Sequence, residues 1–176
     1  MLDYTTEAIV LGKEDRGERD AVYTIFTRSA GKLFARATSA RTLTSKLASH
    51  LEPGSLALTR LVQPAAGERA RIADALMIAR ARRPVALALL RFAAELIPLA
   101  QSDPPLFLFL QQIVEEREAA RVSIRELLRL IGLDPSHASC ARCGRRPVVY
   151  FVPGDILFLC TLCNATRRSR DSARGV

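Results

Sequence analysis

The sequence predicts an α+β protein: a small closed β-barrel, then a compact helical region, then a hairpin built to hold a metal ion. Three observations carry that prediction. Five short β-type segments fill the first eighty residues, and proline-bounded helical segments follow. The chain's only four cysteines then stand in two pairs, Cys140-Ala-Arg-Cys143 and Cys160-Thr-Leu-Cys163, sixteen residues apart.

The strands come first. Thr5 to Leu11 is the opening strand, followed by the charged turn Lys13-Glu14-Asp15-Arg16-Gly17-Glu18-Arg19-Asp20. In Ala21 to Thr27, Val22, Thr24 and Phe26 alternate with Tyr23 and Ile25, the period-2 pattern of a strand. Ser29-Ala30-Gly31 turns the chain, and Lys32 to Thr38 alternates again. Ser55 to Val62 and Arg71 to Met77 supply two more strands, with the loop Pro64-Ala65-Ala66-Gly67 between them. A longer connection separates the third strand from the fourth, with room for a short helix at Ser45 to Leu51. Five strands in that arrangement fit the OB-fold, a five-stranded barrel.

The helical zone opens at Arg82-Arg83-Pro84. Pro84 at a first-turn position leads Val85 to Ile97, and Pro98 stops it. Pro104-Pro105 starts a second helix through Leu106 to Arg121. Ser123 with Glu126 fits a capping box for Ile124 to Ile131, which Gly132 ends. The domains expected are therefore residues 1–82, a barrel, and 83–163, a helical domain. The latter carries the metal hairpin at about 138–165, and 164–176 reads as a basic disordered tail containing Arg167, Arg168, Arg170 and Arg174.

Two C-x-x-C turns at this separation match the four-thiolate spacing of a zinc ribbon, with Cys140, Cys143, Cys160 and Cys163 as ligands. Val148 to Val152, Pro153-Gly154-Asp155 and Ile156 to Leu159 read as the strand, turn and strand that bring the pairs together. A redox dithiol lacks its surrounding βαβ pattern, and a disulfide lacks a secretion signal. Four thiolates leave no open coordination position, so the Zn²⁺ is structural. Thiols free to hold metal imply a reducing, cytoplasmic setting.

Net charge is +8, a surplus that favours polyanions. The longest apolar run, Pro84 to Ala100, contains Arg91 and Glu95 and is too short to span a bilayer, so no membrane role is expected. No phosphate-binding glycine loop and no nucleophile elbow occurs, and His50 and His137 stand beside no nucleophile, so the chain is not read as an enzyme. The stretch between Asp20 and Glu52 contains no acid but holds Arg28, Lys32, Arg36, Arg41 and Lys46. Alternation puts Lys32, Phe34 and Arg36 on one strand face, where cations can follow phosphates and a ring can stack on a base. The competing reading makes Phe34 a core residue and the bases a solvated surface. A different alternative is a protein-interaction adaptor that uses the helical zone and basic patches to bind acidic peptides.

The order of motifs resembles the bacterial RecO family of DNA repair proteins. The resemblance runs through Thr6 to Leu11 with Gly17-Glu18-Arg19-Asp20, then Phe26-Thr27-Arg28-x-x-Gly31-Lys32-Leu33. Ala40-Arg41, Ser45-Lys46-Leu47 and Leu51-Glu52-Pro53-Gly54 continue it. Leu127-Leu128-x-x-Ile131-Gly132-Leu133-x-Pro135 and Cys140-x-x-Cys143-Gly144 complete it. It implies an OB-fold, a helical domain and a zinc module. It also implies binding of single- and double-stranded DNA, strand annealing and help in loading recombinase, which would place the chain at the nucleoid. RecR and the acidic tail of the single-strand-binding protein are the implied partners. Carried over by position, Lys13, Arg16, Arg19, Lys32, Arg36, Arg41 and Lys46 are the DNA-contact residues. The chain departs from the family in length, ending thirteen residues after Cys163.

Overall fold

The structure, a computed structural model, describes residues 2–38, 46–63, 69–115 and 124–173, with the side chains of Lys46 and 168–173 left aside. In chain order the barrel strands are β1 (Leu2–Arg16), β2 (Asp20–Thr27), β3 (Gly31–Ala37), β4 (Ser55–Gln63) and β5 (Ala70–Arg80), with the short helix α1 (Lys46–His50) before β4. The strands close in the order β1-β2-β3-β5-β4, and β1 pairs with both β2 and β4. Only β3 and β5 run parallel, joined at Ala35↔Ala70 and Arg36↔Arg71. That is the five-stranded barrel predicted from five short strands with a longer third-to-fourth connection.

β1 is longer than the sequence suggests. Its charged stretch from Lys13 to Arg16 stays extended because it pairs residue by residue with Asp20 to Tyr23, and the turn shrinks to Gly17-Glu18-Arg19. Gly17 sits there at φ +65°, a conformation most side chains avoid. A register shift between Val10 and Gly12 leaves Leu11 as an extra residue in the β1–β2 pairing.

The barrel interior is filled by Ala8, Val10, Tyr23, Ile25, Leu61 and Ile72 among others. Burial continues outside it. Two helices, α2 (Pro84–Leu96) and α3 (Pro104–Val114), cover part of the barrel's outer surface. Leu89, Leu90, Ala93, Phe107 and Leu110 are all buried there, and Phe26 meets Phe107 with ring centroids 6.1 Å apart. Gly31 permits the closest approach: a Cβ at that position would lie 2.0 Å from the carbonyl oxygen of Gln101. Asp103 caps α3 by accepting from the Leu106 amide at 3.0 Å. The helix expected to reach Arg121 is described to Val114, and residues 116–123, with Ser123 of the capping box, fall outside the described residues.

The chain forms two compact units, Met1–Val122 and Ser123–Val176. The helical zone is thus shared between them, with α2 and α3 belonging to the barrel's unit. The second unit contains α4 (Ile124–Leu130), the hairpin β6 (Tyr150–Val152) and β7 (Leu157–Leu159), and α5 (Thr161–Ala173). Gly132, at φ +81°, ends α4 as expected. The supposed disordered tail is helical through Ala173. Leu162, Ala165 and the arginines are good helix formers, and the Asn164 amide donates to the Cys160 carbonyl at 3.0 Å in the first turn. No helix among the described residues is long and apolar enough to cross a membrane.

Candidate metal centre and nucleic-acid interface

The four cysteine sulfurs lie within 4.8 Å of one another, and Cys143 Sγ is 3.7 Å from Cys160 Sγ. Four thiolates placed ~2.3 Å from a tetrahedral ion stand about 3.8 Å apart, so the cluster has the right dimensions for one ion. No disulfide links them. The backbone builds the site in two ways. In the first pair, the Gly144 amide donates to the Cys140 carbonyl at 2.8 Å, with Gly144 at φ +70°. The Ala141 amide reaches back to Phe158 of β7 at 2.9 Å and fastens this turn to the hairpin. The second pair rides on a helix rather than a second turn: Cys160 precedes α5 and Cys163 lies in its first turn.

The hairpin follows expectation, with β6 and β7 paired from Tyr150↔Leu159 to Val152↔Leu157. Its core is slight. Only Cys140, Leu159 and Cys160 are buried in that cluster, with Val148, Tyr150, Val152 and Cys163 packed partly against them. A backbone hydrogen bond from Cys160, joined by the amides of Arg142 and Cys143, pulls the Cys140 thiol down to about 6. Cys163 is pushed up to about 12 by its hydrogen bond with the Cys143 sulfur and by burial. Four sulfurs this close cannot all ionise without a cation among them, which is what a divalent metal ion supplies. With all four positions protein-supplied, such an ion would hold the fold together and leave no position for substrate. His137 is not part of this cluster.

On the barrel, the predicted DNA-contact residues separate into distinct groups. Lys32, Phe34 and Arg36 do share the outer face of β3, while Ala35 and Ala37 point inward. But that face is divided by α2. Lys32 is only 8% exposed, and its Nζ donates to the Ala94 carbonyl at 2.8 Å. Burial lowers its pKa. Lys32 is therefore a structural residue beneath a helix, contrary to its place in the predicted contact set. Phe34 is 39% exposed, so it is not a core residue. Arg36 is exposed and bonds Asp20 across the neighbouring strand, with Nε 3.1 Å from Oδ2.

Arg16 pairs with Glu14 at 3.2 Å, and Arg19 is exposed at the β1–β2 turn. Lys13 lies opposite Tyr23 in the register, its Nζ 6.0 Å from the centre of that ring. Arg41 lies outside the described residues, as does the side chain of Lys46. The acid-free stretch is partly neutralised by acids from outside it: Glu7 binds Arg28 at 2.6 Å, as Asp20 binds Arg36. Sequence reasoning misses Arg71, which is exposed and sits directly beside Arg36 across the β3–β5 pair. The barrel order held the signal, since a five-stranded closure sets the third strand against the fifth. His50, expected on the surface, accepts from the Met77 amide through Nδ1 at 3.3 Å.

Two family models match the chain: Recombination protein O N terminal over residues 1–79 and Recombination protein O C terminal over residues 82–173. Similar proteins include the DNA repair protein RecO of Syntrophobacter fumaroxidans, 28% identical over 80% of this chain and 61% of the relative. The RecO of Myxococcus xanthus is 31% identical over 84% of this chain and 66% of its own length. For that of Desulforudis audaxviator the figures are 32%, 85% and 65%. The chain thus spans roughly three-fifths to two-thirds of the length of these relatives.

Proposed function

The chain belongs to the RecO family of DNA repair proteins, and from that premise we propose that it is a non-enzymatic, DNA-binding recombination mediator. In this role it binds single- and double-stranded DNA, anneals complementary strands and helps recombinase load on single strands. RecR and the acidic tail of the single-strand-binding protein are its proposed partners, and the nucleoid is where it works. Zn²⁺ is the proposed ion of the cysteine site.

One observation carries the DNA reading. Phe34 is exposed on the outer face of β3, with Arg36 two residues on and Arg71 beside Arg36. OB-folds take oligonucleotides on the faces of their second and third strands. An exposed ring can stack on a base while neighbouring guanidiniums hold phosphates, without selecting a sequence. Arg16 and Arg19, at the β1–β2 turn, lengthen the basic surface. Replacing Phe34 by alanine tests this directly. Loss of one stacked base should weaken single-strand affinity by about 1–3 kcal/mol with little change in salt dependence. Unchanged affinity would remove Phe34 from the interface.

An adaptor role draws support from a different surface. Leu76 and Ile78 on β5 are more than half exposed, and Leu58 lies opposite Leu76 on β4. Capture of a protein partner that survives nuclease treatment and is lost on Leu76→Asp would favour this second reading.

A further inference from the structure

A cleft opens where the barrel meets the start of α2. Leu11, Pro53, Leu87 and Leu90 supply apolar walls, and Arg80 and Arg91 are among the groups that line it. It holds about 230 Å³, below the ~300–1,000 Å³ usual for drug-sized ligands. Glu52 also lines it and lies 3.9 Å from Arg80, so one carboxylate offsets part of the positive charge that the two arginines bring.

The position of the cleft is informative. Leu11, in its wall, is the extra residue of β1, and its neighbour Gly12 faces Thr24, which in turn faces Phe34. This row crosses the outer barrel surface from the cleft to the exposed ring, spanning two strand spacings, or about 10 Å. Gly12 has no side chain to obstruct it. Helix α2 runs alongside: Leu87 lies against Gly54 near the cleft, and Ala94 accepts from Lys32, one alternation below Phe34. The helix that removes Lys32 from solvent thereby walls a path from Phe34 to Arg91.

We infer that the Arg80–Arg91 cleft is the far end of the single-strand track, where two guanidiniums hold one backbone phosphate and the sugar rests on the apolar wall. This rests on the DNA-binding reading above and deepens it. Both arginines are exposed, and the Arg80–Glu52 pair is too open to contribute much stability, so Arg80→Ala with Arg91→Ala should fold normally. The test is fluorescence titration with oligothymidylates of about 4 and about 16 nucleotides, the range of OB-fold site sizes.

For the longer strand, the double variant should lose about tenfold in affinity and its logarithmic salt slope should shallow by about 0.7, one phosphate's share. The shorter strand, held at Phe34 and Arg36, should bind within twofold of the original chain. Equal affinity of both proteins for the longer strand would overturn the inference while leaving the DNA reading intact. Failure of the unaltered chain to bind either strand would overturn the DNA reading itself, and the inference with it. Arg91→Lys, which keeps the charge, should recover the slope when paired with native Arg80.

Discussion

At the scale of single residues, charge alone does not decide which side chains meet solvent. Lys32 and Arg36 are equivalent in the sequence pattern, yet one lies under α2 and the other faces outward. Lys32→Glu should therefore destabilise the barrel by about 3 kcal/mol, because it sets a buried carboxylate against the Ala94 carbonyl. Lys32→Met, which keeps the buried stem, should leave the salt slope of DNA binding unchanged. Denaturant melts and binding titrations on both variants check this, and a shallower slope for Lys32→Met would return Lys32 to the interface. Tyr23 offers a second residue-scale test. Burial, with the Glu52 and Asp15 carboxylates adding to it, pushes its pKa up to about 12, and its hydroxyl is buried without a hydrogen-bond partner. The unfolded chain loses this proton near pH 10, so between pH 10 and 12 the folded state alone retains it and stability falls as pH rises. Tyr23→Phe should flatten the fall in melting temperature over that window and cost nothing at neutral pH. An equally steep fall in the variant would contradict the assignment.

Elements were legible wherever local pattern and tertiary demand agree. Alternation located β2 and β3, β-type runs between turn residues located the other three strands, and prolines marked the starts of α2 and α3. What the sequence hides is long-range covering. The burial of Lys32 depends on a helix about sixty residues downstream, and no local period records it. The extension of β1 to Arg16 likewise follows from its partner strand, since the segment's own charges suggest a turn. Helix α5 was missed because its residues are predominantly polar and rich in arginine, which reads as a solvated tail; Cys160 and Cys163 place its start beside the first cysteine pair. This gives an element-scale prediction. With so few buried residues around the hairpin, removing the metal should melt it together with the first turn of α5. Chelation, or Cys140→Ser with Cys160→Ser, should lower helical circular dichroism and metal content while DNA affinity falls less than threefold. Collapse of DNA binding in a variant whose barrel remains folded would make the cysteine module part of the DNA site.

For the whole molecule, the cysteine spacing was the most specific sequence signal, and the four sulfurs do converge. The barrel surface was only half legible. Phe34, Arg36, Arg16 and Arg19 remain at the surface, Lys32 does not, and Arg71 joins through strand closure. On the proposed function, the cysteine module serves stability and the outer face of the barrel serves DNA contact. The most direct test of this account is the salt dependence of single-stranded DNA affinity, measured for the unaltered chain and for Arg36→Ala with Arg71→Ala. Phosphate contacts from Arg16, Arg19, Arg36 and Arg71, with the one at Arg80 and Arg91, predict a logarithmic slope of about −3.5, shallowing by about 1.4 when the two alanines are present. A slope near zero, or one that the double substitution leaves unchanged, would contradict the account.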